Sequence, residues 1–210
     1  MRCTMNKNSL RFIKKEATAQ ALANAAFELA LERGLDGFVV EDVVQRAGYS
    51  RRTFANHYSC KEEAVVMAVE PMNDINEFEN LLDELHENTS PVDALYHFMK
   101  MQLTAELLWK MRHLSSLSKR YPTLEPYRLS VLHQMQASAQ NLLSQLFHGR
   151  YPEGYAHLLT GAVVGASLPI IDGSFNVLLP DQSTSDNPEA MTFDQYWDTM
   201  FSYLRNGFKF

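Results

Sequence analysis

The stretch Val40-Glu41-Asp42-Val43-Val44-Gln45-Arg46-Ala47-Gly48-Tyr49-Ser50-Arg51-Arg52-Thr53-Phe54-Ala55-Asn56-His57-Tyr58 decides how this chain is read. Val40, Val43, Val44 and Ala47 recur at the spacing of one helical face, and Gly48 follows where a glycine commonly ends a helix. Ser50 then supplies a side-chain oxygen to cap another helix over 51–57. Two short helices joined by a tight glycine turn, the second capped by serine, describe a helix-turn-helix. At roughly 100° per residue, Phe54 and Tyr58 fall within about 40° of each other and mark that helix's inward side. Arg52 and Asn56 lie opposite, with Thr53 beside them.

Helical spacing continues in both directions. Upstream, Ala21, Leu22, Ala25, Ala26, Leu29 and Ala30 form a stripe that ends at Gly34. Downstream, Ser59 with Glu62 reads as a capping box for a fourth helix. Pro71 interrupts it, and a further helix is expected near 73–87. Ser90-Pro91-Val92-Asp93 places a cap, a first-turn proline and an acid at the start of a helix expected to reach Arg112. Helices near 113–119, 124–147, 153–177 and 192–206 follow, and Pro180–Ala190 is a loop rich in Ser, Asp, Asn and Pro. Nine Gly and eight Pro in 210 residues are too few for a turn-rich β fold. The fold class is all-α: an N-terminal three-helix helix-turn-helix domain with a basic arm over 1–60, and a helical C-terminal domain over 61–210.

Composition excludes several classes. With 46% hydrophobic and 21% charged residues the chain has the balance of a folded protein rather than a disordered or collagen-like one. Cys3 and Cys60 form no C-x-x-C pair, so neither a zinc site nor a disulfide framework is expected, and a reducing cytoplasm fits. No apolar core follows the basic N-terminus as a secretory signal requires. The most apolar stretch, Ala162 to Ile171, is about half the length of a membrane span. A cytoplasmic protein without membrane contact is expected. H-E-x-x-H, G-x-S-x-G, G-x-G-x-x-G and P-loop patterns are absent, which points away from an enzyme, a metal or a cofactor. The net charge of −6 hides an asymmetry. Residues 1–15 carry Arg2, Lys7, Arg11, Lys14 and Lys15 and no acid, so this arm could reach a minor groove as basic arms do. Residues 1–70 hold ten Lys/Arg against nine Asp/Glu, while 71–210 hold nine against sixteen. Such a division warns of an interaction face in the N-terminal part.

The sequence resembles the TetR family of bacterial transcriptional regulators. The resemblance is carried by Ala25-Ala26-Phe27, Gly34, the stretch quoted above, and the Lys61-Glu62-Glu63 that opens the next helix. The match around these residues runs over about 50 residues, a quarter of the chain. It implies a double-stranded DNA operator as partner. Arg pairs with guanine and Asn with adenine in the major groove, so Arg52 and Asn56 are the expected base readers. Arg51, Thr53 and His57 flank them and suit phosphates, as do Lys61 and, at the turn, Tyr49 and Ser50. Ala55 stands where the family usually has a phosphate-contacting aromatic, and Val39 where it often has a capping threonine.

The resemblance also implies a homodimer through the helices near 153–177 and 192–206, and a ligand-binding pocket in the C-terminal domain. With Asp93 at zero, Gln102 and Glu106 fall near about 180° and 220° on one continuous helix, among Leu95, Phe98, Met99, Ala105 and Trp109. A pocket lined by Phe98, Met99 and Trp109, with Tyr127 or Tyr155 and with Gln102 and Glu106 as polar handles, is therefore expected to hold a small apolar or aromatic effector. The implied function is a homodimeric repressor released from a palindromic operator by that effector. The alternative is a helical small-molecule- or protein-binding module that reads no specific DNA, which Ala55 and Val39 favour.

Overall fold

The computed structural model describes residues 7–70, 89–152, 154–180, 182 and 189–207. The helix expected near 73–87, the break at Pro71 and most of the loop over 181–188 lie outside the described residues. The chain forms two compact units. One comprises Met1–Glu70 with Ser116–Val131, the other Pro71–Ser115 with Leu132–Phe210. The fourth helix thus belongs with the first unit, whereas the sequence alone suggested a boundary after residue 60.

In the first unit, α1 runs from Lys7 to Arg33, much longer than its apolar stripe. No Gly or Pro interrupts 7–33, and the alanine-rich sequence favours helix. Arg11, Lys14 and Lys15 therefore ride on a helix surface instead of an extended arm; Arg2 lies outside the described residues. Leu22, Ala26, Phe27, Leu29 and Ala30 are buried. The helix stops at Gly34, whose amide donates to the Ala30 carbonyl at 3.0 Å. Gly34 has φ 72°, a conformation that favours glycine, and a Cβ there would also have to displace the Tyr121 hydroxyl.

A single 3-10 turn, Leu35–Gly37, leads to α2 (Val40–Ala47), α3 (Arg51–Ala55) and α4 (Lys61–Met67). Val39 leaves half of a capping box at α2: the Asp42 carboxylate accepts from the Val39 amide at 2.8 Å, with no side-chain cap from Val39 itself. Gly48 closes α2 in the left-handed region at φ 74°. Ser50 Oγ accepts from the Thr53 amide at 3.1 Å, as the sequence suggested. At α4 the cap is Cys60, whose sulfur accepts from the Glu63 amide, not Ser59 paired with Glu62. Glu63 reaches back to the Ser59 amide and hydroxyl at 2.6 Å each, so the box is shifted by one residue. α4 packs its buried Ala64, Val65 and Val66 along α1.

In the second unit, Ser90 caps α5 (Pro91–Gln102), accepting from the Asp93 amide at 3.1 Å. The helix does not continue to Arg112. Leu103 leaves the helical region at φ −85°, ψ 66°. Thr104 Oγ1 then accepts from the Leu107 amide at 3.2 Å and starts α6 (Ala105–Arg120), which absorbs the separate helix expected at 113–119. α7 spans Glu125–Leu146. α8 (Tyr155–Ile171) ends well before 177. The carbonyl of Ile170 in its last turn is held by Arg112, which donates to it at 2.9 Å and to the Val177 oxygen at 3.2 Å.

Val177–Leu178 pairs in parallel with Met191–Thr192, a two-residue bridge (β1 and β2) that helical periodicity did not suggest. Thr192 and Gln195 form a full capping box on α9 (Phe193–Asn206). Phe193 stacks on Trp197 at 5.3 Å between ring centroids, Phe201 meets Trp197 at a tilt at 5.2 Å, and all three are buried. Tyr96 of α5 meets Phe201 edge-on at 5.1 Å, joining α5 to α9.

Candidate nucleic-acid interface

α3 is anchored by its apolar side. Phe54 and Tyr58 are buried with their rings 5.8 Å apart, and the Tyr58 hydroxyl donates to the Ala19 carbonyl of α1 at 2.9 Å. Burial, then the negative charges of Glu70 and Glu63, push the Tyr58 phenol far above its usual range, so it stays a neutral donor. The amides of His57 and Tyr58 both reach the Phe54 carbonyl at 2.9 Å, so helical turns continue past Ala55.

The opposite side is open. Arg51, Arg52, Ala55 and Asn56 are exposed, as are Tyr49 and Ser50 in the turn, while Thr53 and His57 are half-buried. The structure brings seven of the eight residues expected at DNA together on this face. Among the described residues no ion pair involves Arg52. Arg51 is paired with Glu41 of α2. Burial, and secondarily the positive charge of Lys15 on α1, hold the His57 imidazole below its ordinary range. Lys15 thus adds charge to the His57 side of the face, a contribution from α1 that a reading of α3 alone does not reveal.

Lys61 is the eighth, and it points elsewhere. Its ammonium donates to the Leu35 carbonyl at 2.7 Å and the Phe38 carbonyl at 2.9 Å, and sits 5.0 Å over the Phe38 ring. The carbonyl end of a 3-10 turn attracts a cation, and a lysine at the start of α4 is within reach.

The expected effector pocket does not assemble. Because the helix breaks at Leu103, the phase on which Gln102 and Glu106 were aligned is lost. Glu106 points outward with its side chain 74% exposed and pairs with Lys110 at 2.6 Å. Trp109 is 43% exposed and lies against His113 with ring centroids 4.0 Å apart. Phe98 and Met99 are core residues of the second unit, Gln102 is half-buried in the last turn of α5, and Tyr127 belongs to the first unit, hydrogen-bonded to the Cys60 sulfur at 3.3 Å. Tyr155 lines a hollow of about 350 Å³ with Phe147, His148, Tyr151 and Leu143. The Tyr151 and Tyr155 rings stack there at 4.7 Å. Phe147 and Tyr151 sit at a turn between helices where no periodicity exists to single them out.

Among the described residues no group of three His, Cys, Asp or Glu is placed to hold a metal ion, and no helix is long and apolar enough to cross a membrane.

The first unit is thus a helix-turn-helix module whose second helix is pinned on one side and open on the other. Residues 22–65, about a fifth of the chain, match the family model described as bacterial regulatory proteins, tetR family. The uncharacterised HTH-type transcriptional regulator YwcC of Bacillus subtilis (strain 168) is 35% identical over 66 residues, which cover 31% of this chain and 29% of that protein. The match therefore spans less than a third of that relative's length. Over the longer range the fold is similar to that of a chain described as a TetR-family transcriptional regulator from Mesorhizobium loti, with TM-score 0.57, 19% identity, and coverage of 92% of this chain and 97% of that one. A transcriptional regulator from Rhodococcus sp. Rha1 aligns over 90% of this chain and 96% of its own with TM-score 0.47 and 23% identity.

Proposed function

We propose that the protein is a homodimeric transcriptional repressor that reads a palindromic DNA operator through α3 and is released by a small aromatic effector. The observation that carries the DNA reading is the exposure of Arg52 and Asn56 on the side of α3 opposite Phe54 and Tyr58. Those two side chains match guanine and adenine edges in the major groove. Tyr49, Ser50, Arg51, Thr53 and His57 surround them and suit backbone phosphates.

Support for the dimer comes from α8. Leu159, Val163 and Ile170 are buried on one side, while Leu158, Ala162 and Gly165 are exposed on the other. Leu158 is 74% exposed, an apolar side chain that a second copy would cover. A two-fold dimer would place two α3 helices on half-sites one turn of DNA apart. For the effector, the hollow beside Tyr155 replaces the pocket expected around Glu106. Its stacked tyrosines suit a planar aromatic molecule.

The test is binding of the full chain to duplex fragments from its own genomic neighbourhood across a range of salt concentrations. The reading expects one fragment bound at least about a thousand-fold more tightly than random duplex at physiological salt, with affinity falling steeply as salt rises. Equal binding to every duplex would favour the module that reads no specific DNA.

A further inference from the structure

The arginines of α2 and α3 are held in three different ways. Arg46 is locked: two guanidinium nitrogens meet the Glu32 carboxylate at 2.8 and 2.6 Å, Glu28 stands 3.7 Å away, and the side chain is only 28% exposed. That pair joins α2 to α1 and is structural. Arg52 has no acid partner among the described residues. Arg51 lies between these extremes. Its Nη1 pairs with Glu41 Oε1, yet the two side chains are 75% and 56% exposed, so water and any incoming anion reach the pair directly.

From this contrast we propose that Glu41 is a built-in competitor of DNA phosphate for Arg51, a positioning residue that weakens the attraction of the face for any duplex. The inference rests on the DNA-binding reading of α3 given above. Glu41 sits in the first turn of α2, where the partial positive charge of the helix end attracts a carboxylate and helps to hold it in place. Arg51 is the first residue of α3, beside the exposed Ser50 and Arg52. A phosphate approaching this face must take Arg51 from Glu41, so the contact replaces one ion pair with another. Arg52 has no such pair to break. The arrangement leaves base contacts by Arg52 and Asn56 undiminished while lowering the phosphate attraction that random sequence shares with an operator. An exposed pair of this kind corresponds to a factor of about two to five in an equilibrium constant.

The experiment measures affinity of the full chain for a short random-sequence duplex over a salt series, with wild type, Glu41→Gln, Arg51→Ala and the double variant. Glu41→Gln is expected to bind about two- to five-fold more tightly at low salt, with the slope of log affinity against log salt steeper by up to about 0.9. In the Arg51→Ala background the same substitution should change binding by less than about 1.5-fold, because the released arginine is gone. Equal tightening in both backgrounds would show plain repulsion between Glu41 and DNA and overturn the competition. No effect of Glu41→Gln in either background would overturn it too. If wild type binds no duplex at any salt concentration, the DNA-binding reading falls instead, which separates the two failures.

Discussion

Lys61→Met asks whether the lysine at the start of α4 holds the protein together or holds DNA. Its ammonium makes two short bonds to carbonyls of the 3-10 turn region, 2.7 Å to Leu35 and 2.9 Å to Phe38. Hydrogen bonds to a charged group contribute about 1.5–3 kcal/mol each when buried. Lys61 is half-buried, so water can replace the ammonium, and about 1–2 kcal/mol for the pair is the appropriate discount. The position 5.0 Å over the Phe38 ring adds about 0.5 kcal/mol. Methionine keeps most of the aliphatic stem, so packing is largely retained. The expected loss is about 1.5–2.5 kcal/mol. Both tryptophans, Trp109 and Trp197, belong to the second unit, so their fluorescence does not report on this site. Urea unfolding should therefore be followed by far-UV circular dichroism, with hydrogen exchange of the 34–39 amides as the local probe. A lowered midpoint, faster exchange at these amides and an unchanged salt slope of DNA binding are expected. An unchanged midpoint with a salt slope shallower by about one would make Lys61 a phosphate ligand and refute the structural role.

Three further outcomes are expected. Leu158→Asp places a charge where the side chain is already 74% exposed, so the monomer should fold normally while light scattering shows loss of the proposed dimer; a dimer unaffected by the change would move the interface elsewhere. Glu106→Gln breaks only an exposed i, i+4 pair and should shift stability by less than about 0.5 kcal/mol without altering effector binding, which calorimetry would check; a large loss of effector affinity would restore Glu106 to a pocket. The unfolded chain binds the His57 proton more tightly than the folded one does, because burial and then Lys15 hold the folded imidazole down. Stability should therefore fall as pH drops from about 6.5 through the lower folded value, and His57→Gln should flatten that fall; parallel pH profiles for the two proteins would contradict it.

The helix-turn-helix was legible because each of its parts announces itself locally. Gly48 can take the positive φ that ends α2, Ser50 can cap α3, and Phe54 with Tyr58 repeats at one helical turn. The open face of α3 then follows from geometry. The pocket was not legible for the opposite reason: its reading assumed one unbroken helix from Pro91 to Arg112. The break at Leu103 carries no Gly or Pro, and a leucine there gives no local sign of leaving the helix. Thr104 with Glu106 two residues on was a usable signal, since a capping hydroxyl followed by an acid in the first turn marks a helix start. The contacts of Lys61 were not legible because its partners, Leu35 and Phe38, present backbone carbonyls, which look the same in any sequence. The box at Thr192 and Gln195, by contrast, was present in the residues and fixes the start of α9.

The account stands most directly on Arg52. Selection of bound sequences from a randomised duplex library by wild type and by Arg52→Ala would compare their base preferences position by position. The account predicts that Arg52→Ala loses preference at one base pair in each half-site, a cost of about 1–3 kcal/mol, while the rest of the profile survives. An unchanged profile would mean that α3 does not read DNA through its open face, and would contradict the account at its centre.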